Sequence, residues 1–392
     1  MIRHEIASNS LYVETNARTP DGVINVTGFA KQTRLHILNK DTPIIAYCRE
    51  RIEMRILVLF ALVILALNGC SWYAYTNTRL TSGEEPKLKA AFRITEDRGS
   101  NQKVLVVLAL SGGGSRAAYW SASVMLKLSD AFRKEGLDLL REVDAISSVS
   151  GGSLPAAYYA ISRDTDDNSH HVISDQVWDR NTVKDLMSRN YIYRWIGNWF
   201  WPHNILRFWF TAYDRTDIMA TVFADNLYHE KSTRRHLKFK DLNNERPYLI
   251  INSTNSTASE SPSPSGGSMC FEGSDDDKQF GCIFTFTVEQ LDKIKADLGD
   301  YEIARAVMAS ATFPGAFNLM TLWDYRNSMY LHLFDAGNAD NLGLESVRRL
   351  IKDNISKYDR VVVILVDAYV EGGRALSTQS DARTFFGHII DT

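Results

Sequence analysis

Four serines fall between positions 147 and 153, set among glycines in AISSVSGGSLPAA (145–157). A serine hydroxyl becomes a nucleophile when a base takes its proton and small neighbours leave its oxygen exposed on a sharp turn. Ser148-x-Ser150-x-Gly152 has the pattern of a G-x-S-x-G nucleophile elbow with its first glycine replaced by serine. By that register Ser150 is the nucleophile. Ser147 and Ser148 finish a strand, and Ser153 is a polar group at a helix N-terminus. The helix start at Gly151 aims N–H groups near Ser150 and so favours an alkoxide. An ordinary Ser/Gly loop has the same letters, so the motif needs partners elsewhere in the chain.

Acyl transfer also requires amide donors aimed at a developing oxyanion. SGGGSRAA (111–118) lies between an apolar run and a helical pattern. Its glycines let the backbone turn sharply and leave bare N–H groups at a helix N-terminus. The same segment fits a dinucleotide fingerprint, because Gly112, Gly114 and Ala117 satisfy G-x-G-x-x-G/A. That reading needs an acidic residue at the end of the next strand. The next strand instead ends in Ser148, Val149 and Ser150, with Asp144 near its start, which argues against a dinucleotide. A plain strand–helix turn is the third reading of these letters.

The candidate base is Asp335, in YLHLFDAGNADNLGLE (330–345), where an apolar stretch runs into a Gly-bearing turn. Aspartate, with a reference pKa of about 3.9, is a weak base. It must be desolvated, or accept its proton only in the transition state. A turn-forming Asp would look the same in sequence. A conventional triad adds a histidine, but none of the 9 follows Asp335 in a persuasive loop, and His388 is near the very end. His332 alternates with Tyr330 and Phe334 as a strand residue does. The 4 cysteines, Cys48, Cys70, Cys270 and Cys282, form neither a disulfide framework nor a zinc spacing. Cys270 and Cys282 could pair in an oxidising envelope or stand as separate buried thiols. The chemistry calls for no metal and no cofactor.

Three distant segments can cooperate only if strands end beside one another. KVLVVLAL (103–110) reads as a strand buried on both faces, followed by a helix over roughly 115–134. VDAISSV (143–149), RPYLIIN (246–252), GCIFTFT (281–287) and RVVVILVDA (360–368) are further strands. Strands alternating with helices predict an α/β fold, a layered α/β/α domain with a mostly parallel central sheet. Residues 256–278, rich in Ser, Pro, Gly and Asp, predict a surface loop. NSTNST (252–257) reads as a polar strand end rather than a glycosylation site.

In order and setting, SGGGSR, SVSGGS and DAG resemble the motifs of the patatin-like phospholipases. The resemblance covers roughly residues 103–368. It implies an oxyanion loop at Gly112, Gly113 and Gly114, a following basic residue at Arg116, and a Ser150–Asp335 dyad that works without histidine. RAVMASATFPGAF (305–317) resembles the family's Ala/Ser-rich helix and Pro turn, and DNLG (340–343) the Asp-Asn after the dyad acid. Ser111, Ser148 and Ala336 depart from the family's usual Asp, Gly and Gly. The implied activity is hydrolysis of membrane-lipid esters. Arg116 would bind a lipid phosphate or, in a largely buried segment, brace the loop.

The remaining sequence places that chemistry near a membrane. Ile56–Leu67 is a run of 12 apolar residues, too short for a comfortable span but suited to a secretory signal. With Arg49, Arg51 and Arg55 before it and Leu67-Asn68-Gly69-Cys70 after it, the segment resembles a bacterial lipobox, with Cys70 as the acylated residue. A short anchor continuing through Trp72 and Tyr73, or a buried helix, are the other readings. The expected organisation is an upstream extension over 1–53, a signal or anchor over 54–70, a polar tether over 71–100, and the hydrolase domain over 101–392, C-terminally incomplete. The expected location is the bacterial cell envelope. A net charge of -3 gives no basic field for nucleic acid. YIYRWIGNWFWPHNILRFWFTAY (191–213) holds a dense set of aromatics, fit for an acyl-chain groove, a membrane interface or a helical cap on the core. A catalytically silent lipid-binding lipoprotein and a nucleotide-binding α/β protein are the alternative functions.

Overall fold

The computed structural model describes residues 75–81, 104–165, 176–256 and 282–369. All belong to one compact unit, Cys70–Thr392. The upstream extension, the signal segment, Cys70, Cys270 and nearly all of the 256–278 loop lie outside the described residues. Cys282 is disulfide-bonded.

Seven strands form one sheet: β1 (Val104–Leu110), β2 (Ala145–Ser148), β3 (Tyr248–Asn255), β4 (Cys282–Phe286), β5 (Met320–Asp324), β6 (Met329–Phe334) and β7 (Arg360–Val366). β7, β1, β2 and β3 run parallel in that spatial order. β4 and β6 lie antiparallel to β3, and β5 antiparallel to β6. Five of the seven strands therefore point the same way, as expected of a mostly parallel sheet. The sequence reading missed β5, whose MTLWD alternates buried and half-buried residues in an outer strand.

Alternation along β1 explains the layers. Leu105, Val107 and Ala109 face one side, where they meet Val347 of α10 (Leu344–Asn354). Leu108 and Leu110 face the larger core beneath α1 (Gly114–Ala131), α2 (Ser153–Ile161), α3 (Arg180–Ser188), α6 (Arg215–Leu227) and α8 (Ile303–Ser310). Three further helices are α4 (Tyr191–Trp199), α5 (Pro202–Phe210) and α7 (Val288–Lys293). Helix α9 (Gly337–Asp340) links β6 to α10. Burying each of these aliphatic side chains stabilises by roughly 1.5–3 kcal/mol, which fixes the sheet before any polar group is placed.

Within the expected tether, residues 75–81 rest on the domain. Tyr75 stacks on Trp323 with ring centroids 5.5 Å apart. The Asn77 side chain exchanges two hydrogen bonds with the Trp323 backbone, both 2.8 Å. This segment is docked on β5 because its aromatic and amide groups find partners there.

Helix α8 is fastened at its start. Arg305 pairs with Asp217 of α6 at 2.6 Å, and Glu302 faces His236 at 3.7 Å. Hydrogen bonding to Asp225 and Glu302 raises His236 to about 9. A raised folded value means that stability from this group is complete below the ordinary imidazole value and is lost as pH rises through about 9. The parent's melting temperature should therefore fall more than that of His236→Gln between pH 6.5 and about 9, measured by differential scanning calorimetry.

Candidate active site

The site is built on the two edges of β3. Ile251 pairs with Ser148 of β2 on one side and Phe286 of β4 on the other. Thr254 pairs with Ile283 of β4 and Phe334 of β6. A strand residue has two flanks, and β4 fills one from Ile251 to Asn255. β2 and β6 must therefore share the other flank, β2 along its first half and β6 beyond. They approach from opposite directions, so their C-terminal ends meet beside Asn252 and Ser253. Ser150 follows one end and Asp335 the other.

The polar second half of β3 holds both ends. Asn252 Nδ2 donates to the Ser147 hydroxyl at 2.9 Å and to the Ser148 carbonyl at 3.0 Å. Its Oδ1 accepts from Ser346. Ser253 Oγ donates to the Phe334 carbonyl at 2.8 Å, and Thr254 Oγ1 to the Asp335 carbonyl at 2.9 Å. These groups are fully buried, and each bond offsets a desolvation cost of about 1–3 kcal/mol.

At the elbow Ser150 adopts φ 47°, a left-handed conformation that costs a non-glycine residue on the order of 1–3 kcal/mol. Three contacts hold it there. Val149 N–H donates to the Leu110 carbonyl at 3.0 Å, Gly152 N–H to the Val149 carbonyl at 2.9 Å, and Ser150 N–H to Ser310 Oγ at 2.8 Å. Ser150 Oγ then donates to Asp335 Oδ2 at 2.9 Å. Ser153 opens α2 and its hydroxyl lies 3.2 Å from that of Ser310.

Asp335 is only 6% exposed. Burial pushes its carboxyl above the usual carboxylate range, against the opposing pull of the Gly337 N–H and the Ser150 hydroxyl. Gly337 N–H reaches Oδ1 at 2.7 Å, and Asp335 N–H donates to the Thr312 carbonyl at 3.0 Å. No cation among the described residues pairs with it. No histidine among them hydrogen-bonds Ser150 or Asp335. His332 instead faces Thr321 across β5 and β6, Nδ1 to Oγ1 3.2 Å.

The glycine loop lies against the elbow backbone to backbone. A methyl group at Gly151 would collide with the Gly114 carbonyl, and one at Gly152 would stand 2.6 Å from the Ser111 carbonyl. Gly113 (φ 134°) and Gly114 (φ 63°) have conformations that side chains rarely adopt. Their N–H groups donate to no acceptor among the described residues, and both residues are exposed. Gly112 differs from the expectation. Its N–H is spent on the Asn341 carbonyl at 2.9 Å, so it shapes the loop and offers no free donor. Arg116 also differs. It is exposed and has no hydrogen bond or ion pair among the described residues, so nothing there is braced by it. Asp144, which had argued against a dinucleotide, ties β2 to β1 through Val106 N–H at 2.7 Å. Among the described residues no group of three His, Cys, Asp or Glu side chains could hold a metal ion.

A family model for the patatin-like phospholipases matches residues 108–348, more than half of the chain. The chain belongs to the patatin-like phospholipase family. The family is described as one of phospholipases. Among solved structures, VipD from Legionella pneumophila aligns with 66% of this chain and 51% of its own at 13% identity and a TM-score of 0.28. The chain thus spans about half of that protein, and the likeness carries no argument here. No curated protein matches the chain.

In this patatin-like domain the structure brings together Ser150, Asp335 and the glycine loop, the candidates of the sequence, and adds Ser310, Thr312 and Asn252, which the sequence reading had not singled out. The small residues of RAVMASATFPGAF were the available signal for the first two, since a helix end can approach a turn this closely only without bulk. Gly151→Ala should lower stability by roughly 1–3 kcal/mol by pressing the two turns apart. Gly197→Ala in α4, where a methyl group meets nothing within 4 Å, should raise it by about 0.5–1 kcal/mol. Urea unfolding of the two variants checks the contrast.

Proposed function

We propose that this patatin-like domain hydrolyses carboxylic esters of membrane lipids, with Ser150 as nucleophile and Asp335 as its base. The observation that supports this is the 2.9 Å hydrogen bond from Ser150 Oγ to a buried, cation-free carboxylate, beside the bare amides of Gly113 and Gly114. As Oγ attacks the ester carbonyl carbon, its proton passes to Asp335 Oδ2. The oxygen that gains charge is stabilised by N–H groups at the start of α1, where the helix dipole adds to their effect. Asp335 returns the proton to the departing alcohol oxygen, leaving an acyl ester on Ser150. A water molecule then attacks that ester as Asp335 takes its proton, and Asp335 passes the proton to Ser150 Oγ as the fatty acid leaves. Gly337 N–H, bound to Oδ1, keeps Oδ2 turned to the serine throughout.

The electrostatics suit this role. A fully solvated aspartate would be too weak a base, and a neighbouring cation would weaken it further. Burial without a cation raises its proton affinity, against the opposing pull of two hydrogen bonds. The enzyme is further proposed to act at a bacterial envelope membrane, held there by acylation of Cys70, on the strength of the apolar run and Leu67-Asn68-Gly69-Cys70.

Ser150→Ala should lower kcat on a phospholipid ester at least about 10³-fold with little change in fold. Asp335→Asn should lose a comparable factor while its melting temperature at neutral pH equals or exceeds the parent's. The sign follows from the raised carboxyl: a buried ionised group whose folded value lies above its unfolded one costs stability as pH rises through that value, and the amide removes the cost. The acidic limb of kcat/KM should lie above the usual carboxylate range, since activity requires the ionised form. A parent chain that binds lipid but turns over no ester would instead favour the silent lipid-binding reading.

A further inference from the structure

Helices α4 and α5 form a hairpin that water alone does not explain. Each has nine residues, and Phe200 and Trp201 join them. Helix α4 is anchored by its inner face: Tyr191 is buried against Phe223, and Trp195 packs on Phe317 with ring centroids 5.1 Å apart and donates its indole N–H to the Arg215 carbonyl at 2.8 Å. Helix α5 has only Asn204 buried, bonded to the Asn198 carbonyl at 2.9 Å. The rest of α5 is exposed, and most of it is large and apolar. Trp209 is 76% exposed, Phe200 73%, and Trp201 and Leu206 58% each. An amphipathic helix normally turns its apolar face to the core, whereas α5 buries Asn204 of its polar face and leaves the apolar one exposed, and an exposed patch of this kind marks an interaction surface.

The charges indicate what covers it. Residues 190–213 contain no Asp or Glu, in a chain of net charge -3. Their two arginines, Arg194 and Arg207, are exposed, and neither pairs with a carboxylate among the described residues; Arg207 lies over the Tyr213 ring at 5.5 Å. Exposed Trp and Phe flanked by unpaired guanidinium groups are the composition of an element lying in the interface of an anionic bilayer. Nine-residue helices cannot cross a membrane, and no described helix is long and apolar enough to do so. The hairpin also packs on the segment that follows α8. Phe317, beneath Trp195, belongs to the segment that leaves Ser310, where Phe313 and Leu319 are exposed as well.

We propose that the α4–α5 hairpin is an in-plane membrane-docking element that seats the rim of the active site on an anionic lipid surface. Docking rests on the hydrolase reading only for its purpose, the delivery of bilayer lipid to Ser150; the contact itself can be measured without turnover.

The test uses the full chain reconstituted with vesicles of phosphatidylcholine and phosphatidylglycerol. Phosphatidylcholine brominated along its acyl chains should quench tryptophan emission in the parent, and the conservative pair Trp201→Phe/Trp209→Phe should lose part of that quenching. Phe200→Ser/Trp209→Ser should lower hydrolysis of vesicle phospholipid by about tenfold or more, with hydrolysis of a soluble short-chain ester unchanged. Equal quenching in the parent and the Trp201→Phe/Trp209→Phe pair overturns the proposal. So does a serine variant that dissociates a dimer in sedimentation while vesicle hydrolysis is unchanged, because the face then belongs to a second copy. If the parent hydrolyses neither ester, the hydrolase reading fails and the quenching comparison alone decides docking.

Discussion

Two strands that end head to head on one flank of β3 set everything else in this molecule. β2 and β6 converge because β4 occupies the opposite flank along the whole second half of β3, leaving β6 no other place to pair. The chain must turn away from the sheet at both ends. At Ser148 it turns into a strained elbow, and at Phe334 into the Gly337 turn. The gap between the ends is lined by the side chains of Asn252, Ser253 and Thr254, which bind the backbone of both turns. A 2.9 Å contact between residues far apart in sequence is the consequence.

The same arrangement carries opposing costs. A left-handed serine and a buried carboxylate without a cation each work against the folded state. They persist because aliphatic layers on both faces of the sheet over-determine the strand positions, and because the end of α8 supplies Ser310, and the turn after it the Thr312 carbonyl, to the two turns. The glycines belong to this balance. Gly151 and Gly152 allow two backbones to touch, and Gly113 and Gly114 hold amides away from internal acceptors.

Much of this was legible in the sequence because short-range physics writes it there. Apolar runs marked β1 and β7, a shorter mixed run of Ala, Ile, Ser and Val marked β2, and small residues after a strand marked both turns. Ser150 and Asp335 stood out because each follows such a run. What stayed hidden depends on pairing between distant strands. Nothing in NSTN distinguishes a polar strand end in solvent from three buried side chains that bridge two turns. The spending of the Gly112 N–H on Asn341 and the exposure of Arg116 follow from how the 340–343 turn docks, which local pattern does not encode. The aromatic hairpin was visible as composition, but its outward face emerged only once Trp195 had a partner in Phe317.

The central claim is that the contact between Ser150 and Asp335 makes this one hydroxyl reactive among several buried serines. Its most direct measurement is covalent capture by a fluorophosphonate, with peptide mapping of the adduct, in the parent and in Asp335→Asn. The account requires a single adduct on Ser150 in the parent, formed much more slowly when the carboxylate is replaced by an amide. Labelling at Ser147, Ser148 or Ser153, or an equal rate in both proteins, would contradict it.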